Sequence, residues 1–428
     1  MVDTIFASAT AAGTAGIAVI RISGPRAGDA LRALTGKSPK PRHATRVKFR
    51  SGDDILDDGL ALWFPAPASF SGEDMAELHI HGGRATMASV LAALSTMDGL
   101  RLARAGEFTR RAFDNGKLDL TAVEGLADLI AAETEAQRRQ ALRQLDGHLG
   151  VLYEGWRGDI LRILAWAEAE IDFPDEGVES GVLHLEILDV KNKIQSHLDD
   201  ARRGERLRDG VQIAVLGPPN AGKSSLVNAL ARREAAIVAA TAGTTRDVIE
   251  VHLDLGGYPV TLADTAGLRE SQDDVESEGV RRALARAEAA DLKLIVFDAS
   301  EGAPTGAAAA LNDANALVVF NKIDLASSLG PFGVSVKTGA GIGALVGEIA
   351  RRVASLASPG AGPGITRARH REALIECRDA LERAMTASAP ELAAEDLRLA
   401  ARAIGRITGR VGVEDVLDVI FRDFCIGK

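Results

Sequence analysis

Apolar positions change their spacing three times along this 428-residue chain. Up to residue 117 they alternate with polar ones in short runs such as "GIAVIRISG", "GLALWFP" and "AELHIHGG", separated by Gly, Pro and Asp. A period of two with that punctuation predicts strands of a mixed α/β domain. From residue 118 the spacing becomes helical. The stretch "TAVEGLADLIAAETEAQRRQALRQL" opens on Thr121-x-x-Glu124, the pattern of a capping box, and runs on in helix formers without proline. Helical texture persists to 209, interrupted by the acidic turn "DFPDEG". Then "GVQIAVLGPPNAGKSSL" reads as strand, glycine loop and helix, and strands alternate with helices to 354, as in a parallel α/β sheet. The Gly/Pro-rich "SLASPGAGPGITR" is a linker, and the remainder is helical again.

A terminal stretch of about sixty helical residues is thin for a domain of its own. The economical partition is a domain at 1–117, a helical domain in two pieces at 118–209 and 355–428, and an α/β domain at 210–354 inserted between them. Insertion requires the inserted domain's ends to lie close together.

At 46% hydrophobic and 26% charged residues the chain can bury several cores. It has no apolar run of about 18 residues, so no membrane span is expected. The opening "MVDTIFASATAAG" has neither a basic leader nor an apolar signal core. Two cysteines, Cys377 and Cys425, build no disulfide framework, which points to a reducing, cytoplasmic setting. The net charge of −10 argues against broad affinity for nucleic acid. Arg398, Arg402, Arg406 and Arg410 nevertheless recur every four residues, making one stripe on a helix. It is either a solvated face with its stems over apolar surface or a local basic patch.

Gly217-Pro-Pro-Asn-Ala-Gly222-Lys223-Ser224 fits G-x-x-x-x-G-K-[ST] in the required strand–loop–helix context. Backbone N–H groups of the loop and helix start (Asn220, Ala221, Gly222, Ser224, Ser225) suit phosphates. Lys223 reaches the β- and γ-phosphates, and Ser224 takes a Mg²⁺ position. "TAGTTRD" supplies a switch segment with Thr244 and Thr245, and Thr245 is a second Mg²⁺ ligand. In Asp264-Thr265-Ala266-Gly267, Asp264 orders Mg²⁺ and Gly267 can follow the γ-phosphate. Asn321-Lys322-x-Asp324 ends "LVVFNKIDL"; its carboxylate pairs with guanine N1–H and N2–H₂, where adenine would present an acceptor. After a further strand, Ser335-Val336-Lys337 offers backbone N–H to the guanine oxygen. Four motifs in this order make the inserted domain a Ras-like phosphate-loop GTPase.

Two positions depart from the common pattern. Leu268 stands where many GTPases keep a glutamine that orients the attacking water, and leucine cannot do so. Glu276, in the nearby "DDVESEG", is the replacement we favour, against a solvated acidic loop. Asn220 either ligates a monovalent cation beside the phosphates or stabilises its loop by a hydrogen bond.

Six blocks carry a resemblance over essentially the whole chain. They are "DTIFASAT…GIAVIRISG", "SFSGEDMAELHIHGG", "ARAGEFTRRAFDNGKLDL", the phosphate loop, "AGTTRD" and the terminal "FCIGK". Together they resemble the MnmE (TrmE) family of tRNA-modification GTPases. The resemblance implies an N-terminal α+β, folate-binding domain that also dimerises, a discontinuous helical domain and an inserted G domain. It implies a homodimer working with the FAD-dependent partner MnmG (GidA) in a heterotetramer or larger complex. Their substrate is tRNA, modified at the wobble uridine with a carboxymethylaminomethyl-type group. The carbon comes from a formyl- or methylene-tetrahydrofolate. Carried over by position, the folate site falls on Arg21, Glu77, Lys117 and Lys428. The potassium site falls on Asn220, Ala239, Thr241 and Thr244, with Ala239 where threonine is frequent. Pro218 replaces a residue of the usual loop and removes one N–H.

The chain ends "FRDFCIGK". A prenylation box would need an aliphatic pair after Cys425 and no terminal charge, whereas Gly427 and Lys428 stand there. In the resembling family the terminal cysteine sits beside the folate pocket, so Cys425 reads as catalytic or near-catalytic, with Lys428 lowering its pKa. A structural cysteine is the competing reading. At the level of function, the alternative to a tRNA-modifying GTPase is a GTP-dependent switch in, for example, ribosome maturation. Such a switch has no use for Arg21, Glu77 and Lys117.

Overall fold

Each alternating run of the first segment leaves one apolar face, and those faces meet in a six-stranded sheet. β1 (Thr4–Ser8), β2 (Ala15–Ser23), β3 (Thr45–Ser51), β4 (Asp54–Phe64), β5 (Met75–Gly82) and β6 (Leu100–Leu102) stand in the order β3-β4-β5-β2-β1-β6. All neighbours are antiparallel except β1 and β6. Ala18, Ile20 and Ile22 of β2 enter the main core with Leu31 and Leu34 of α1 (Ala27–Thr35) and Val90 and Leu94 of α2 (Arg84–Ser95). Strand alternation sends Arg21, Glu77 and His79 to the other face. There Ile5, Ala7, Ala103, Phe70 and Phe108 of α3 (Glu107–Asp114) form a smaller cluster.

The structure is a computed structural model that describes residues 3–172, 180–233, 250–264, 288–301, 312–326, 330–358, 360, 362–412, 417, 420, 421, 424 and 427. It divides into two compact units, 1–127 with 405–428, and 128–404. The first extends past the change of texture at 118 because Leu120 and Val123 of α4 (Leu120–Ala131) pack with Leu417, Phe421 and Phe424.

The helical run does not begin at a Thr121 cap. Thr121 is fully buried, and Asp119 Oδ1 accepts from Ala122 N (2.8 Å) and Thr121 Oγ1 (2.6 Å). The capping box lies one helix later. Thr134 Oγ1 accepts from Gln137 N, and Gln137 Oε1 accepts from Thr134 N (3.1 Å), opening α5 (Glu135–Leu145). The run is therefore two helices, since the reciprocal bonds at Thr134 satisfy a helix end there.

In the second unit α6 (His148–Asp172) and α7 (Ser180–Leu198) precede the short α8 (Arg203–Asp209), which leads into β7 (Val211–Leu216) and α9 (Lys223–Arg233). β8 (Glu250–Leu255), β9 (Tyr258–Asp264), β10 (Leu292–Asp298) and β11 (Ala316–Asn321) complete a sheet ordered β11-β10-β7-β9-β8. α10 (Ile342–Ala357) packs on it, and α11 (Ala368–Thr386) and α12 (Pro390–Thr408) follow. The sheet is parallel except for β8–β9, an antiparallel hairpin closed by Gly256 and Gly257 at φ +65° and +89°. Two successive residues at positive φ make the primed turn that matches strand twist. The strand expected before Ser335 is also absent among the described residues. Phe320 and Gly333 form only an isolated bridge, since Pro331 and Gly333 interrupt the run.

Gly204 of α8 lies against Gly364 and Ile365, and a Cβ on it would collide with the Ile365 carbonyl. The segments flanking the sheet region, just before 210 and after 354, therefore meet side by side. No helix among the described residues is long and apolar enough to cross a membrane.

Candidate functional site

The phosphate loop leaves the buried end of β7 through conformations that its glycines allow. Gly217 has φ +142° with the Val296 carbonyl where a Cβ would stand, and Gly222 has φ +88° with the Asn321 amide there. Asn220 itself adopts φ +61°, a conformation asparagine tolerates better than most residues. Lys223 begins α9 and folds back across the loop, its Nζ donating to Gly217 O (3.0 Å) and Pro218 O (2.8 Å).

β11 delivers Asn321, the first residue of the expected base-recognition segment, beside that loop. Asn321 is buried, its Nδ2 donating to Ala221 O (2.9 Å) and its Oδ1 accepting from Val336 N (3.3 Å). Ser335 Oγ donates to Asp324 Oδ1 (2.6 Å); this bond, helped by Lys337 and Lys322, holds the Asp324 carboxyl below the usual range. Ser335 N–H is spent on Ala340 O (2.9 Å) and Val336 N–H on Asn321. Of the three N–H groups expected to face a guanine oxygen, only that of Lys337 lacks an acceptor among the described residues. Lys322 adopts φ +65° and sends its Nζ to Asp298 Oδ2 (2.6 Å) at the end of β10. Sequence reading passed over Asp298, although an acid closing the apolar "LKLIVFD" was its visible signal.

Ser224 and Ser225 stand exposed on the first turn of α9, and exposed Asn220 makes no side-chain hydrogen bond among the described residues. Asp264 ends β9 in register with Val215 of β7, which brings its backbone beside the strand that leads into the loop. Ala239, Thr241, Thr244, Thr245, Thr265, Ala266, Gly267 and Glu276 lie outside the described residues.

A second constellation occupies the outer face of the six-stranded sheet. Arg21 and Glu77 are cross-strand partners, and Arg21 Nε (3.1 Å) and Nη2 (2.9 Å) both donate to Glu77 Oε1. Glu77 Oε2 faces His79 Nε2 at 3.4 Å. The Arg21 guanidinium lies 5.4 Å from the Phe70 ring centroid and 6.0 Å from that of Phe108. Lys117 Nζ donates to Pro67 O (3.1 Å), on the loop that carries Phe70. Near the chain end, Gly427 is buried at φ +104°, so close to Ser8 that a Cβ would strike the Ser8 carbonyl. Ser8 follows Ala7, the partner of Arg21 in the β1–β2 register. Cys425 and Lys428 are outside the described residues.

A family model described as the MnmE helical domain matches residues 120–425, and one described as the GTP-binding protein TrmE N-terminus matches 4–117. The tRNA modification GTPase MnmE of Parvibaculum lavamentivorans is 62% identical over 439 residues, covering 100% of both chains. The protein of that name from Rhodospirillum rubrum is 57% identical over 453 residues, again covering 100% of both. The chain belongs to the MnmE family of tRNA-modification GTPases.

As a member of the MnmE family it binds and hydrolyses GTP in tRNA modification, and the assembly-switch reading is set aside. Its remaining cysteine, Cys377, lies buried in α11, and burial pushes the thiol well above its ordinary range. It packs rather than reacts. Within the arginine stripe Arg402 is exposed, and Arg398 is ion-paired with Glu168 (2.7 Å) and Glu395 (3.1 Å).

Proposed function

We propose that this MnmE-family GTPase helps to install a carboxymethylaminomethyl-type group at C5 of the wobble uridine, U34, drawing its carbon from a formyl- or methylene-tetrahydrofolate. The observation that carries the reading is one convergence: the Arg21–Glu77 pair and two aromatic rings share a small region of one sheet face, and the buried Gly427 lies against Ser8, next to Arg21's cross-strand partner Ala7. A pterin needs an acceptor for its amino-pyrimidine edge and flat apolar surface beside it. Glu77 Oε2, not used by Arg21, provides the first, and Phe70 and Phe108 provide the second. Lys117, whose ammonium donates to the Pro67 carbonyl, suits a glutamyl carboxylate. Lys428 would complete the site from the chain end. Cys425, three residues before it, would act as a nucleophile or stand next to the reacting carbon.

In the G domain, Lys223 and the backbone N–H groups of residues 220–225 would hold the phosphates, while Ser224 and Thr245 would take Mg²⁺. Asn220, with an amide that makes no other bond among the described residues, fits a potassium ligand better than a loop brace. Ala239, Thr241 and Thr244 would share that ion. A bound potassium ion supplies positive charge beside the transferring phosphoryl group, where other GTPases use an arginine. Glu276 would orient the attacking water in place of the glutamine lost at Leu268.

The four-part division at 117, 209 and 354 assigns these two chemistries to separate domains. A homodimer joined through the N-terminal domain, the FAD-dependent MnmG partner and a cytoplasmic location complete the proposal. The test is a fluorescence titration of the purified protein with formyl-tetrahydrofolate. Saturable binding weakened by Glu77→Gln is expected; equal binding by the variant would refute the site.

A further inference from the structure

We propose that Asp298 is a positioning residue for nucleotide recognition and acts through Lys322. The inference deepens the reading of Asn321–Asp324 as the base-recognition segment and rests on it.

Asp298 ends β10 directly opposite Asn321, the last residue of β11, in the parallel register. It is 5% exposed, and both its oxygens are engaged. Oδ1 accepts from the N–H (2.9 Å) and hydroxyl (2.6 Å) of Ser300, in the 3₁₀ turn Ala299–Glu301. Oδ2 takes the Lys322 ammonium at 2.6 Å. The lysine, and Ser300 after it, keep the carboxyl ionised down to about 2. The acceptor for Lys322 is thus charged, dry and fixed by its own turn.

The two lysines of the nucleotide site are thereby given different work. Lys223 lies across the phosphate loop, donating to the Gly217 and Pro218 carbonyls. Lys322 is held by a buried carboxylate, and moving its ammonium away would leave that charge unpaired in the interior. What Lys322 can present to a ligand is its methylene stem, an apolar strip next to Asp324. A purine laid on that strip meets the Asp324 carboxylate at its edge, already oriented by Ser335 (2.6 Å). Asp298 therefore governs how firmly any purine is held, while Asp324 governs which purine is chosen. The φ of +65° at Lys322 contributes to the same division. It turns the chain within Asn321–Asp324, whose side chains Asn321, Lys322 and Asp324 reach three different anchors.

The test uses the full-length protein and a methylanthraniloyl-labelled GTP, titrated against wild type, Asp298→Asn, Lys322→Met and the double variant. Each single change is expected to weaken binding about tenfold. The double variant should bind no worse than the weaker single, because both changes remove one interaction. The ratio of guanine to xanthine nucleotide affinity should not move in Asp298→Asn. Unaltered binding by Asp298→Asn, or losses that multiply in the double variant, would overturn the inference. Should Asp298→Asn fail to fold, Asp298→Glu takes its place: it keeps the charge but displaces it by a methylene, and wild-type affinity there counts against the proposal. Asp324→Asn, run alongside, separates the two layers. Unshifted base preference in that variant refutes the base-recognition reading itself, whereas a shifted preference with unaffected Asp298 variants refutes only the role of Asp298.

Discussion

Asn321 Nδ2 donates to the Ala221 carbonyl at 2.9 Å, so the strand we propose to read the base is hydrogen-bonded to the loop we propose to hold the phosphates. The contact is possible only because Gly222 has no Cβ; any side chain there would occupy the position of the amide. Asn321 also fixes the Ser335–Lys337 segment through Val336 N (3.3 Å). One buried side chain thus locks three parts of the nucleotide site.

Asn321→Ala should therefore damage phosphate and base recognition together. It leaves the buried Ala221 carbonyl unpaired, a loss of about 1–3 kcal/mol. Titration with GTP and with pyrophosphate checks this: both should weaken. A loss confined to GTP would mean that Asn321 serves the base alone.

Lys223→Ala and Asp324→Asn should fail differently. The first removes charge from the phosphates and should lower both GTP affinity and turnover. The second replaces an acceptor with a donor at the guanine edge and should move preference toward xanthine nucleotides. Competition between GTP and XTP for each variant distinguishes them, and unchanged guanine preference in Asp324→Asn would count against the assignment.

GTP turnover should rise in K⁺ and much less in Na⁺ at matched ionic strength, because carbonyl and amide ligands suit a loosely hydrated ion. Equal rates in both salts would remove the cation role of Asn220. Glu276→Ala should cut turnover while leaving GTP affinity near normal. If affinity falls instead, Glu276 has no part in positioning water.

The helical unit should lose stability on mild acidification through His197. Burial against Tyr153 and Trp156 lowers its pKa from 6.5 to about 4, with Arg371 and His370 adding to the effect and Asp200 opposing it. The native imidazole stays neutral where the unfolded chain takes a proton. Its contribution is therefore complete above pH 6.5 and drains away as pH falls to about 4. Thermal unfolding of His197→Gln should depend less steeply on pH across that window than wild type. Parallel curves would contradict the assignment.

Much of this was legible in the chain because the nucleotide motifs are contiguous. Gly217–Ser224 and Asn321–Asp324 each carry their chemistry within a few residues, flanked by the elements that position them. The missed features depend on pairing across distance. Asp298 meets Lys322 only because β10 and β11 lie side by side in one register. Arg21 and Glu77, 56 residues apart, meet only through the β2–β5 register, so the sequence reading reached them by resemblance rather than by pattern. Thr121 and Thr134 each open an x-x-Glu/Gln pattern and both are buried, so hydrogen bonding separates them. Asp119 takes the Ala122 N–H beside Thr121, while Thr134 makes the reciprocal bonds with Gln137 at a true helix start. The antiparallel β8–β9 hairpin was visible in Gly256-Gly257 and was overridden by the alternation around it.

The central claim is that the N-terminal face and the chain end perform one-carbon chemistry separate from GTP hydrolysis. Its most direct test is nucleoside analysis of tRNA from cells whose only copy of the protein lacks Cys425 through Lys428, with GTP turnover measured on the same purified variant. The account predicts wobble uridine without its C5 substituent and GTP turnover close to wild type. Fully modified tRNA from the truncated chain would contradict it.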